Sequence, residues 1–267
     1  MTSLVLALVW VGGVPEAVAY LEGEVPRWKT ENGCYSCHNN GDGARALILA
    51  GQRSGPAVDD TVRFLQAPAE WPADTTALSL VQYGAALAAL GGETTPVADR
   101  LAKLQKADGH WEMDAEAAAG SPVTYGPVLG TVLARRLVTG EAAARAGAWL
   151  QARQQQRRVQ HPMDIAAMVL AFARPEDAAR LKTLQGLDGS WNGSEAFDTA
   201  LAVIALRTLA PEAAARGREW LLKNQLEPGG WRGTTRPAGG PSYAQHISTT
   251  AWALIALTGS AAAPSRP

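Results

Sequence analysis

Apolar and polar positions divide the chain into alternating stretches of two kinds. Segments 43–50, 76–90, 125–138, 165–172, 199–209 and 250–257 are rich in Ala, Leu and Val almost all the way round. A helix with no polar face belongs in an interior. The stretches before them, such as 175–185, carry charge along one side and apolar residues at helical spacing, which marks a surface helix. Gly91-Gly92, Gly140 and Gly259 punctuate several of the joints. Six such pairs, recurring at roughly 35 to 45 residues, fill nearly the whole sequence. Six buried helices can close on themselves as an inner barrel with the amphipathic helices outside. The pattern therefore predicts a single all-α domain over residues 15–260.

A short motif recurs with the pairs. It reads Gln105-Lys-Ala-Asp-Gly109-His-Trp111, then Gln185-Gly-Leu-Asp-Gly189-Ser-Trp191, then Gln225-Leu-Glu-Pro-Gly-Gly230-Trp231. Weaker copies pair Gln66 with Trp71 and Glu22 with Trp28, and a further one at Trp149-Leu150-Gln151 loses the downstream Gly-Trp. A Gln side chain can bond backbone at a helix end while Trp packs over it. These copies resemble the QW motif of the squalene cyclase and protein prenyltransferase superfamily. Ile247-Ser-Thr-Thr250-Ala-Trp252-Ala-Leu-Ile-Ala-Leu257 is similar to the C-terminal segment of terpene cyclases. The resemblance spans about residues 15 to 260. It implies an α/α toroid of about six helix pairs with a central cavity, and an isoprenoid or lipid ligand.

Composition narrows the chemistry. The 267 residues are 47% hydrophobic, enough for a large core, and the formal net charge is −1. That balance excludes a nucleic-acid partner, and the Gln/Arg-rich segment 153–158 reads as a solvated helix face. Residues 1–14 hold an apolar run, 4–11, that is too short to span a bilayer and lacks a preceding basic residue. It reads either as a signal-like segment or as an extra inner helix. The tail, 261–267, reads as frayed.

The only cysteines fall in Cys34-Tyr35-Ser36-Cys37-His38. C-x-x-C-H is the attachment signature of a c-type haem, with the thiols on the vinyl groups and His38 as an axial ligand. That is the leading expectation; zinc held by Cys34, Cys37 and His38, or a dithiol pair, are the alternatives. The flanking Asn39-Asn40-Gly41 reads as an exposed loop. His38, His110, His161 and His246 all fall where an outer helix leads to an inner one, so they should ring one mouth of the barrel. Closure of the ring places His246 beside His38 as the preferred second ligand. Met163 and His161 come next, with Met113 and His110 after them. Haem attachment takes place outside the cytoplasm, so a periplasmic or extracytoplasmic location and a redox partner protein accompany this expectation.

Asp42, Asp74, Thr124, Asp164, Asp198 and Ser248 or Thr249 open the inner segments and read as N-caps. In Glu195-Ala-Phe197-Asp198-Thr199-Ala200, the residues Asp198, Thr199 and Ala200 match the D-x-D-D-T-A of protonation-type cyclases. Phe197 stands where that family carries its proton donor, so Asp198 and Glu195 are the remaining acid candidates. No cysteine follows Cys37 to build a prenyltransferase zinc site. The expected function is haem-based electron transfer or redox sensing on a cyclase-like toroid. An isoprenoid-handling enzyme or lipid-binding protein that uses the cavity is the alternative.

Overall fold

A computed structural model describes residues 13–113, 120–156, 159–193, 195–234, 236 and 242–259. Twelve α-helices occupy the described residues, and no strand is found among them. The outer helices are α1 (Val14–Asn32), α3 (Asp59–Leu65), α5 (Thr95–Leu104), α7 (Gly140–Gln155), α9 (Pro175–Thr183) and α11 (Pro211–Lys223). The inner helices are α2 (Ala44–Leu49), α4 (Ala77–Leu90), α6 (Gly126–Arg135), α8 (Pro162–Phe172), α10 (Ala196–Leu206) and α12 (Tyr243–Thr258). A wide π-type turn, Cys37–Gly43, runs straight into α2.

Each inner helix packs on the next, and α12 returns to the wide turn, to α2 and to α1, so the six pairs close into a ring. Every residue of α10 is buried, as its unbroken apolar sequence requires. The outer helices bury only a stripe, which in α5 is Val97 and Leu101. Proline starts many of the helices, where its missing N–H costs nothing. Among the described residues no helix is long and apolar enough to cross a membrane. Segments 1–12 and 260–267, which include the apolar run and all of the tail, lie outside the described residues.

The repeated motif is a clamp between neighbouring pairs. Gln105, Gln185 and Gln225 each donate from Nε2 to the carbonyl of their own loop glycine, Gly109, Gly189 and Gly229, at 2.8, 2.8 and 2.7 Å. The same nitrogen also reaches the start of the following outer helix. Gln105 bonds Ala142 O at 2.9 Å, Gln185 bonds Ala213 O at 2.9 Å, and Gln225 bonds Gly13 O at 3.0 Å. Trp111, Trp191 and Trp231 are almost fully buried, and each indole N–H donates back to a carbonyl of the preceding outer helix, at 2.7 to 2.8 Å. Their backbone N–H groups end on Thr131, Thr199 and Thr250 of the following inner helix. The loop glycine is obligatory. Gly109, Gly189 and Gly229 have φ of 103°, 95° and 134°, and a Cβ there would meet the backbone of Arg145, Arg216 and Glu16 at 2.5, 2.7 and 2.2 Å.

The weaker copies do not build the clamp. Glu22 and Trp28 both lie inside α1, so the first pair has no such loop. Trp71 keeps its indole bond, to Phe64 O at 2.8 Å, but Gln66 is exposed. Gln151 is exposed as well.

The N-cap expectation also needs correction. Helices α8, α10 and α12 start three to seven residues before the apolar runs that marked them, and their caps are His161, Glu195 and Ser242. Asp164, Asp198, Ser248 and Thr249 are therefore inside helices, and Asp42 is inside the wide turn. Next to the expected positions the caps are Gly43, Thr76 and Tyr125, of which only Thr76 caps with its side chain; Asp74 is exposed, and Thr124 bonds Ser121. The first turns contain polar residues because they face a shared polar interior, and a hydrophobicity pattern registers such turns as loop.

In the first two clamps, Arg145 and Arg216 donate to the free oxygen of Gln105 and Gln185. The matching place beside Gln225 is Glu16, which cannot donate, and Gln225 Oε1 is left without a partner. Glu16→Arg should supply the missing donor and stabilise the ring by about 1 kcal/mol. Chemical denaturation checks this, and the gain should vanish in a Gln225→Ala background.

Candidate functional site

The amino-terminal ends of the inner helices lie at one end of the barrel, and two polar clusters sit there. The first is centred on Asp42, which is 1% exposed. Tyr125 donates to its Oδ1 at 2.5 Å and Gln82 to its Oδ2 at 2.8 Å, with Ser248 as a further donor. Burial pushes the Asp42 carboxyl up, while these donors and Arg45, one turn along, pull against it. Tyr125 caps α6 with a left-handed φ of 56°, a costly conformation for a bulky residue. Its hydroxyl is also held by the Trp252 indole N–H at 3.2 Å, so the strain is fixed by bonds at the far end of the side chain. Towards the barrel axis, Trp252 packs edge-on against Tyr125 and Phe197, with Arg45 over its face. These four side chains are at most 5% exposed, so this part of the centre is packed solid.

The Cys34–His38 segment abuts this cluster. His38 Nδ1 lies 3.0 Å from Ser248 Oγ and 3.4 Å from Gln82 Nε2, so the imidazole points between α12 and α4. Burial pulls it down to about 4. Cys37 bonds Ser79, and burial pushes its thiol up to about 11; Cys34 is exposed. The flanking asparagines are not an open loop. Asn39 and Asn40 are buried, and their amides fasten the turn to Glu24 O and Val25 O of α1, to Thr61 and to Tyr243. A c-type haem needs both thiols at the edge of a macrocycle lying over the imidazole. As placed, these residues do not fit one, because His38 enters packed protein and the asparagines hold the turn shut. The intended second ligands are engaged elsewhere. His246 Nδ1 lies 3.1 Å from Trp231 O, Met163 is fully buried, and His110 bonds Asp108 and stacks on Trp149. Among the described residues no three of His, Cys, Asp or Glu gather as a metal site.

The second cluster centres on Asp198, which is 0% exposed in the first turn of α10. Arg236 donates to its Oδ2 at 2.8 Å, and Asn192 approaches the same oxygen at 3.4 Å. Its Oδ1 has no hydrogen-bond partner. His161, the cap of α8, lies 3.7 Å from that oxygen, but its Nδ1 already accepts from Met163 N at 3.2 Å. Burial, then Arg236, pulls His161 down to about 4, so the ring is neutral at physiological pH. Asp164, one helix away, is pushed up to about 7 by burial and by the Asp198 charge. Glu195 caps α10 and is half-buried, and Phe197 is turned inward against Trp252.

Sequence reasoning named Asp198, Asp164 and Asp42 but missed Arg45, Gln82, Tyr125 and Arg236. The signal for the first two was a polar residue at a buried phase of an apolar run. Arg236 had no such signal, because it reaches the site from a loop.

The ring of paired helices is the architecture of the terpenoid cyclases. Two variants of the type II terpene cyclase MstE from Scytonema, each solved with its substrate geranylgeranyl dihydroxybenzoate, match over 92% of this chain and 98% and 99% of theirs. The TM-scores are 0.58 and 0.57 at 14% identity. Over 107 residues, 35% of the chain, the sequence is 36% identical to lanosterol synthase erg7A of Aspergillus fumigatus; the match covers 14% of that enzyme. No protein-family model matches.

The imidazole of His38 is neutral in the fold and gains a proton on unfolding. The unfolded chain therefore binds more protons below its ordinary value of 6.5, and this group costs stability as pH falls from 6.5 towards 4. The raised Asp42 and Asp164 act with the opposite sign, so the comparison is with His38→Gln. Between about pH 7 and pH 4 the stability of the wild type relative to that variant should fall by about 3 kcal/mol, read by urea denaturation.

Proposed function

We propose that this toroid handles isoprenoid chains, as the cyclases of its fold do, at the amino-terminal mouth of the inner barrel. The observation that carries the reading is a pair of carboxyls on adjacent inner helices, Asp164 and Asp198, in surroundings that raise both. A carboxyl that remains protonated near neutral pH is the group needed to protonate an alkene. Phe197, in the place where the resemblance puts the acid, cannot do so. Asp164, on the neighbouring inner helix and within the field of Asp198, presents the proton instead, and Arg236 holds the charge of Asp198. The reaction balances as an isomerisation: an alkene carbon gains the Asp164 proton, the cation closes a ring, and a proton is lost to water.

The test is incubation of the purified chain with geranylgeranyl dihydroxybenzoate and with squalene in deuterated water. The expected product is an isomer of its substrate in which one hydrogen is replaced by deuterium, and Asp164→Asn should lower its rate by about 100-fold or more. If neither compound is bound or converted, the reading is wrong. Binding without conversion would support the lipid-binding form of the same reading.

A further inference from the structure

The orphaned oxygen of Asp198 has a use in this reading. The carboxylate is fully buried, yet only Oδ2 is bonded. A buried carboxylate oxygen without a donor is costly, and such a vacancy in a site is filled by water or by a ligand. The groups around it limit what that ligand can be. The nearest ring nitrogen, His161 Nδ1, is itself an acceptor and cannot serve. A cationic head would meet the Arg236 guanidinium, which already neutralises Asp198. A diphosphate would meet three carboxyls, Asp198 with Asp164 and Glu195 close by, against the guanidinium of Arg236 on Asp198 and that of Arg153 acting on Asp164. A neutral group carrying one O–H satisfies the oxygen without either penalty. The side chains of His161 and Arg236, which border the buried carboxylate, each reach the surface at 21% exposure, while Asp198 is 0% exposed.

We propose that the Asp198–Arg236–His161 cluster is a recognition site for the hydroxyl head, alcohol or phenol, of an isoprenoid. The hydroxyl donates to Asp198 Oδ1. Arg236 and Asn192 hold the carboxylate from its other side, and His161 borders the oxygen. This rests on the isoprenoid reading and narrows it to substrates with a free O–H.

Equilibrium dialysis with three labelled probes of equal chain length decides it: geranylgeraniol, the corresponding hydrocarbon without the hydroxyl, and geranylgeranyl diphosphate. The alcohol should bind at least 10-fold more tightly than either of the others, the range of a hydrogen bond to a charged group. Asp198→Asn should erase most of that preference and leave hydrocarbon binding unchanged. If Asp198→Asn does not fold, His161→Phe, which crowds the oxygen but leaves the Asp198–Arg236 pair in place, should weaken the alcohol alone. Equal binding of alcohol and hydrocarbon, or tightest binding of the diphosphate, overturns the hydroxyl site and leaves isoprenoid handling standing. Failure of all three probes to bind overturns both. Retention of the preference in Asp198→Asn assigns the hydroxyl to another place and also overturns this proposal.

Discussion

The structure depends on a glutamine amide that serves two backbones at once. Each clamp joins an outer helix, its own loop and the next outer helix through one Nε2 group, while a buried tryptophan seals the joint and bonds back to the helix before it. Burial of an indole contributes several kcal/mol, and the hydrogen bonds fix the angle between neighbours instead of adding much energy. Three such joints, in the third, fifth and sixth pairs, hold the ring. The first, second and fourth pairs depend on helix packing and on other polar fasteners, such as the asparagines of the wide turn.

Those fasteners explain how a barrel with a packed centre can still keep ionisable groups inside. Asp42 is shared among α4, α6, α12 and the wide turn, so four inner elements meet on one carboxylate. Removing one partner would leave a buried charge or an orphaned donor, and such networks specify a single arrangement more strongly than apolar packing does. The Asp198 cluster differs in one respect: one oxygen is engaged by Arg236 and the other, equally buried, has no hydrogen-bond partner. The first cluster therefore reads as architecture and the second as the place for chemistry.

The scaffold was legible because helix amphipathicity and the Gln–Trp copies are local signals. The six pairs, their inner and outer roles and the closure of the ring all follow from them. The starts of α8, α10 and α12 were not legible, because their first turns turn polar residues such as Asp164, Asp198 and Thr249 inward. The Cys34–His38 motif carries information of another kind. Its residues satisfy a haem signature in one dimension, but the fold spends the imidazole on Ser248 and the adjoining amides on α1. Spacing along the chain carries no information about which side of a turn faces a packed interior. Arg236 illustrates the opposite failure: a residue in a loop with no periodicity supplies the counter-charge for the site.

The final joint differs from the others in polymer terms. Gln105 and Gln185 reach partners 37 and 28 positions away, whereas Gln225 and Gly13 are separated by 212. Bringing such remote segments together costs about 1.5 kcal/mol more chain entropy than closing the 37-residue contour. The first two joints can form while synthesis is under way. The last must wait until Gln225 has been made, so an incomplete arc with two bare ends, α1 and α11, is the natural precursor of the closed ring.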